Sequence, residues 1–211
     1  VTIDGAVTAL DASIIGQYIA LGTYNLKTNI SIKDLFTEKE WMYLPITARQ
    51  LYNNKYLHEL YPDIKIWDWF PLIGFIHDLG KILLTKEFGE LPQWSVVGDT
   101  FPVGCEFGHR NIFYNKKYHY NNKDFGKYGT FGIYKYLCGF DKLHISYGHD
   151  EYLANVLEKN NTTLPKEAIY IIRYHSFYSW HTPKNNLIRG YTYFANKEDW
   201  RMLLLLKAFQ K

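Results

Sequence analysis

The chain has 211 residues, a formal net charge of +3 and an ordinary apolar content, with 19 Tyr, 13 Phe and 6 Trp. That length suits one domain with its own core, and the Lys and Arg residues are scattered rather than gathered into the basic stripe a nucleic-acid partner requires. Only Cys105 and Cys138 are present, no apolar run is long enough for a bilayer, and the N-terminus lacks the basic and apolar regions of a secretory leader, so a reduced, cytoplasmic setting with no membrane partner is expected.

In chain order, Ile3, Ala6, Val7 and Leu10 share one face at helical spacing, which predicts a helix over residues 1–13. Because the chain starts directly on that face, the single domain expected over 1–211 is expected to be incomplete at its ends. Residues 14–34 mix β-branched residues, Asn and Gly without either period and are expected to be irregular, within an atypical segment at 14–43. A helical pattern resumes over 44–60, with Ile46, Leu51, Leu57 and Leu60 as core contacts and Pro62 ending it. The central helix is predicted over 69–84.

After it, residues 88–105 carry Pro92, Gly98, Pro102 and Gly104 and predict a long ordered loop, a kind of segment that is often functional in compact domains. Residues 108–126, rich in Asn, Lys and Tyr, read as a surface excursion, and 128–137 as a short helix. Further helices are predicted over 146–158, from Pro165 in a first turn to about His175, and over 197–211. The fold class is all-α, a helical bundle with one conspicuous loop after the central helix.

The chemistry centres on His77-Asp78 inside the apolar run of the central helix. An imidazole and a carboxylate there are costly without partners, and a metal ion satisfies both. Lys81, about one turn on, reaches over the same face. His149 near the start of one helix and His175 near the end of the next come together if those helices are antiparallel neighbours. Each histidine alone also fits a satisfied core position, but three on separate segments around a His-Asp pair favour a metal site. Asp150 and Glu151 read as supporting or solvated groups. His181, in a turn before Pro183, reads as a surface residue, and His58, His109, His119 and His144 lie in polar surroundings.

Four stretches carry a resemblance: His77-Asp78-Leu79-Gly80-Lys81; the loop from Pro92-Gln93-Trp94-Ser95 through Gly98-Asp99-Thr100-Phe101-Pro102-Val103-Gly104-Cys105; Gly148-His149-Asp150-Glu151-Tyr152; and Arg173-Tyr174-His175-Ser176-Phe177-Tyr178. Together they resemble myo-inositol oxygenase over about residues 68–211. The resemblance implies an HD-domain-like helical fold with a non-haem diiron centre that uses O2 to cleave the ring of myo-inositol, giving D-glucuronate by a four-electron oxidation. It implies His77 and Asp78 as iron ligands, Asp78 bridging, and His149 and His175 on the second iron. It places Lys81, Gly98, Asp99, His175 and Ser176 against the polyol, Lys81 balancing the charge of an alkoxide, in a monomeric enzyme.

Two positions depart from the family pattern. An ungapped register places Arg49 where the family has a further histidine ligand, and a guanidinium has no lone pair to give. The family's final aspartate ligand follows a sequence that Phe209-Gln210-Lys211 resembles, so it is expected beyond Lys211. One iron site is therefore expected to be complete and the other incomplete. The alternatives are a relative that binds a metal or polyol without turnover and an HD-type phosphohydrolase; the scarcity of clustered Arg and Lys near the motifs argues against the second.

Overall fold

A computed structural model describes residues 66–112, 114, 125–182 and 189–210, with the side chains of 66–68 excepted. The helices expected at 1–13 and 44–60, the irregular stretch at 14–34, the atypical segment at 14–43, Arg49, His58 and His119 lie outside the described residues, as does most of the 108–126 excursion. The chain clusters into two units, residues 1–77 with 161–168 and residues 78–160 with 169–211.

In the first unit, helix α1 (Ile66–Ile76) buries Trp69, Phe70, Leu72, Ile73 and Ile76 and runs through Pro71. The predicted central helix does not continue to residue 84. The last amide of the regular pattern, His77 N, bonds Ile73 O at 2.9 Å. Asp78 then takes φ −92° and ψ 0°, in the sparsely allowed bridge region. The chain tightens into a 3-10 helix, Leu79–Leu84, whose Lys81 N bonds Asp78 O at 2.9 Å.

In the second unit, the loop after this break holds short elements: a 3-10 turn at Lys86–Phe88, α2 (Gln93–Val96) and β1 (Pro102–Val103). β1 pairs antiparallel with β2 (His144–Ile145), Pro102 opposite Ile145. This two-residue ladder is the one departure from helix among the regular elements of the described residues. Ser146 N adds a bond to Phe101 O, 2.8 Å. The loop is thereby stitched to the segment that leads into α3 (His149–Lys159).

Helix α4 (Lys166–Tyr174) follows, then the single turn α5 (Tyr178–His181) and α6 (Lys197–Phe209). The start of α6 is closed by a capping box: the Asn196 side chain accepts from the Asp199 amide, and the Asp199 carboxylate accepts from the Asn196 amide. Phe140, Phe177, Trp180 and Phe194 are fully buried, and the Phe140 ring lies 4.9 Å from Trp180 and 5.3 Å from Phe177. This aromatic core uses the ring-rich composition.

The short helix expected at 128–137 is instead a series of turns. Gly132 has φ +54° and Leu137 φ +53°, both left-handed, and the Ile133 amide bonds outward to Gly104 O at 3.0 Å. Two glycines and an external acceptor outcompete a helix in that stretch.

Candidate metal centre

The site is assembled at the break after α1. In the second unit the 3-10 helix carrying Asp78 lies against the start of α3, and the approach is close: a Cβ on Gly80 would run into the backbone carbonyl of His149. The Gly between Asp78 and Lys81 is therefore a packing requirement. It lets the backbone bearing Asp78 reach the backbone bearing His149.

Asp78, His149 and His175 converge. His149 Nε2 is 3.1 Å from His175 Nε2, and Asp78 Oδ1 is 3.3 Å from the first and 3.7 Å from the second. Both histidines are buried, while Asp78 is partly open. The start of α3 meets the segment just past α4, and this brings the two rings together as expected.

The other ring nitrogens settle the tautomers. His149 Nδ1 bonds Val96 O at 2.7 Å, and His175 Nδ1 bonds Ile172 O at 2.7 Å. A carbonyl only accepts, so Nδ1 carries the proton in each neutral ring and Nε2 carries the lone pair. His77, the residue before Asp78, follows the same rule, its Nδ1 bonding Gly74 O at 3.0 Å. Two lone pairs and a carboxylate oxygen thus face one another at 3.1 to 3.7 Å. Two imidazole nitrogens and a carboxylate are a donor set that fits a metal cation. Asp78 and His175 belong to a group of side chains whose ligand atoms lie within 4.8 Å of one another. The electrostatics agree: burial pushes the His149 imidazolium down, but the Asp78 hydrogen bond, the Asp150 charge and the Val96 carbonyl outweigh it and hold its pKa above the ordinary 6.5.

The loop of residues 92–105 supports this set from behind. Val96, at the end of α2, orients His149. The Thr100 amide donates to Ser176 O at 2.9 Å, and the Thr100 hydroxyl donates to Asp150. Asp150 is therefore a buried supporting group, not a solvated one, with 1% of its surface exposed. Ser176 is buried beside His175, Gly98 has φ +129°, and Asp99 Oδ2 accepts from the Ile112 amide at 2.7 Å. Lys81 Nζ is 2.7 Å from Asp78 Oδ2, on the open side of the carboxylate.

His181 is a correction. It is not at the surface but buried, with 2% exposure; its Nε2 bonds His175 O at 2.8 Å and its Nδ1 bonds Thr182 Oγ1 at 2.7 Å. Burial pushes its pKa down to about 4, partly opposed by the bond to the His175 carbonyl. Both its nitrogens are committed, so it is not placed as a ligand. His109 and His144 are exposed, as expected. Sequence reading also passed over Tyr178, whose hydroxyl is raised by burial, opposed by a bond to Ser176, and raised further by the charges of Asp78, Asp99 and Asp150. The signal available for both was their spacing, three and six residues past His175, on a turn that folds back over it.

Among the described residues, no helix is long and apolar enough to cross a membrane. A family profile described as myo-inositol oxygenase matches residues 50–211, starting one residue past Arg49. An inositol oxygenase from Dictyostelium discoideum is 49% identical over 158 residues, covering 74% of this chain and 51% of the relative. Inositol oxygenase 1 from Arabidopsis thaliana is 47% identical over 154 residues, 72% and 46% of the two chains. The human inositol oxygenase is 45% identical over 147 residues, 68% and 48%. The chain spans about half the length of the curated relatives it matches.

Proposed function

Because the chain belongs to the myo-inositol oxygenase family, we propose that it is an iron-dependent oxygenase that uses O2 to cleave the ring of myo-inositol, giving D-glucuronate. Substrate and O2 together contain the atoms of glucuronic acid and one water, so no further reductant is needed. The observation that carries the reading is the meeting of Asp78, His149 and His175, with Nε2 lone pairs turned toward a carboxylate oxygen.

His149, His175 and Asp78 would hold iron, and the family resemblance adds His77 as a further ligand. The chemistry drawn from bound iron at such a site is Lewis acidity toward a polyol hydroxyl and electron transfer to O2. The chain's own residues do the rest. Lys81 places an ammonium beside Asp78, where it offsets the negative charge of a deprotonated hydroxyl. Asp99 and Ser176, with the backbone at Gly98, offer the polar partners that a ring of hydroxyls needs for orientation. The Val96 and Ile172 carbonyls hold the imidazoles in the ligating tautomer. The reading includes an HD-domain-like arrangement and a monomeric, cytoplasmic protein whose partners are small molecules.

The test is O2 uptake by the Fe(II)-loaded chain on addition of myo-inositol, with glucuronate measured in the same sample. The proposal predicts one glucuronate per O2 consumed. Release of phosphate from a phosphate ester without inositol-dependent O2 uptake would replace it with the hydrolase reading, and activity in neither assay would leave a binding protein.

A further inference from the structure

The backbone carbonyl of His175 lies just past the end of α4, where helical carbonyls have no partner within their own helix. Two side chains from different parts of the chain take it up. His181 Nε2 lies 2.8 Å from this oxygen and Gln210 Nε2 lies 2.7 Å from it. A carbonyl oxygen has two lone pairs, and two donors saturate it.

Each donor is itself held. With its Nε2 proton given to the carbonyl, His181 has its Nδ1 lone pair on the Thr182 hydroxyl, and the Arg189 guanidinium bonds the carbonyls of Trp180 at 2.6 Å and His181 at 3.1 Å. Gln210 stands at the exposed end of α6, its amide bonded to Leu206 O at 3.2 Å. The His175 ring is tied through Nδ1 to Ile172 O, so with that bond made the direction of its Nε2 depends on how the His175 backbone sits against the last turn of α4.

We infer that His181 and Gln210 are positioning residues that clamp the His175 carbonyl and so aim the His175 ring at the metal. This rests on the reading of His175 as a ligand and goes beyond it. A ligand whose peptide is free to turn spends binding energy on being ordered; a clamped one does not.

The test is the dissociation constant of Fe(II), added anaerobically to this chain and read against a competing chelator, with a thermal melt of each metal-free variant. His181→Leu and Gln210→Met each remove one donor while keeping volume, and each is expected to weaken Fe(II) binding about tenfold. His181→Gln, whose amide reaches the same carbonyl, is expected to recover most of that loss; a merely structural role predicts no such rescue. Gln210 is exposed, so Gln210→Met carries the test even if His181→Leu does not fold. Wild-type affinity in Gln210→Met and in every folded His181 variant, with binding lost in His175→Ala, overturns the clamp and leaves the ligand. Binding that survives His175→Ala removes the ligand assignment and the clamp together.

Discussion

His77, His149 and His175 each give the Nδ1 proton to a backbone carbonyl, whereas His181 gives its Nε2 proton and accepts on Nδ1. The first three thus share one tautomer and His181 takes the other. The ion pair of Lys81 with Asp78 is about two-fifths exposed on both sides, so it adds roughly 1 kcal/mol or less to stability. Lys81→Met is therefore expected to fold and keep its iron while losing at least about tenfold in kcat/KM for myo-inositol, an effect of electrostatic origin. Iron content and steady-state glucuronate formation check this; unchanged kinetics would take Lys81 out of the reaction. His77-Asp78, His149 and His175 stood out in the sequence as ionisable groups in need of partners, and the structure brings Asp78, His149 and His175 together. His181 was not legible: Trp180 and Pro183 around it read as a turn, and only the fold-back of α5 onto His175 buries it.

Helices α3 and α4 are clasped by Arg173, which bonds Glu151 at 2.8 Å and Glu158 at 3.0 and 2.8 Å. Since α3 begins with His149 and α4 ends just before His175, this clasp ties together the two segments that carry those histidines. Arg173→Met is expected to cost about 1–3 kcal/mol, because it also leaves the half-buried Glu151 without its cation. The Arg173 hydrogen bond holds the Glu158 carboxyl below its ordinary 4.5, against burial. A carboxylate with a lowered folded-state pKa stabilises the fold above the unfolded value, and that contribution disappears as pH falls through the folded one. The stability difference between wild type and Arg173→Met should thus shrink as pH falls below about 4.5, as urea unfolding at a series of pH values would measure; a constant difference would argue against the clasp.

Gly80 acts at the same scale. Gly80→Ala forces the Asp78 segment off the start of α3 and is expected to cost roughly 1–3 kcal/mol by overpacking. Denaturant midpoints read it, and an unchanged midpoint would mean the contact relaxes freely. The helices at 149–159, 166–174 and 197–209 were legible from periodicity and caps. The end of the central helix was not, because the bridge-region geometry of Asp78 is imposed by the partner segment, which residue spacing does not record. The turns at 128–137 were missed for a related reason: the Ile133 and Leu137 amides find acceptors outside the stretch, at Gly104 O and Tyr193 O.

In the second unit, an aromatic core around Phe140, Phe177 and Trp180 meets α4 at Tyr174 and α6 at Trp200, while the loop of residues 92–105 reaches His149 through Val96 and Ser176 through Thr100. The fold class was legible from composition and period. The loop's bonds to His149 and Ser176 were not legible, since hydrogen bonds from backbone groups leave no mark on residue type. A metal that binds only the folded chain raises its stability by mass action, so chelation should lower the melting temperature of wild type and leave that of His175→Ala unchanged. The measurement that tests the metal centre most directly is iron per chain, by elemental analysis after loosely held ions are removed. At least one iron is expected to be retained by the wild-type chain and none by His149→Ala or His175→Ala. Equal iron in all three, or none in the wild type, would contradict the metal centre.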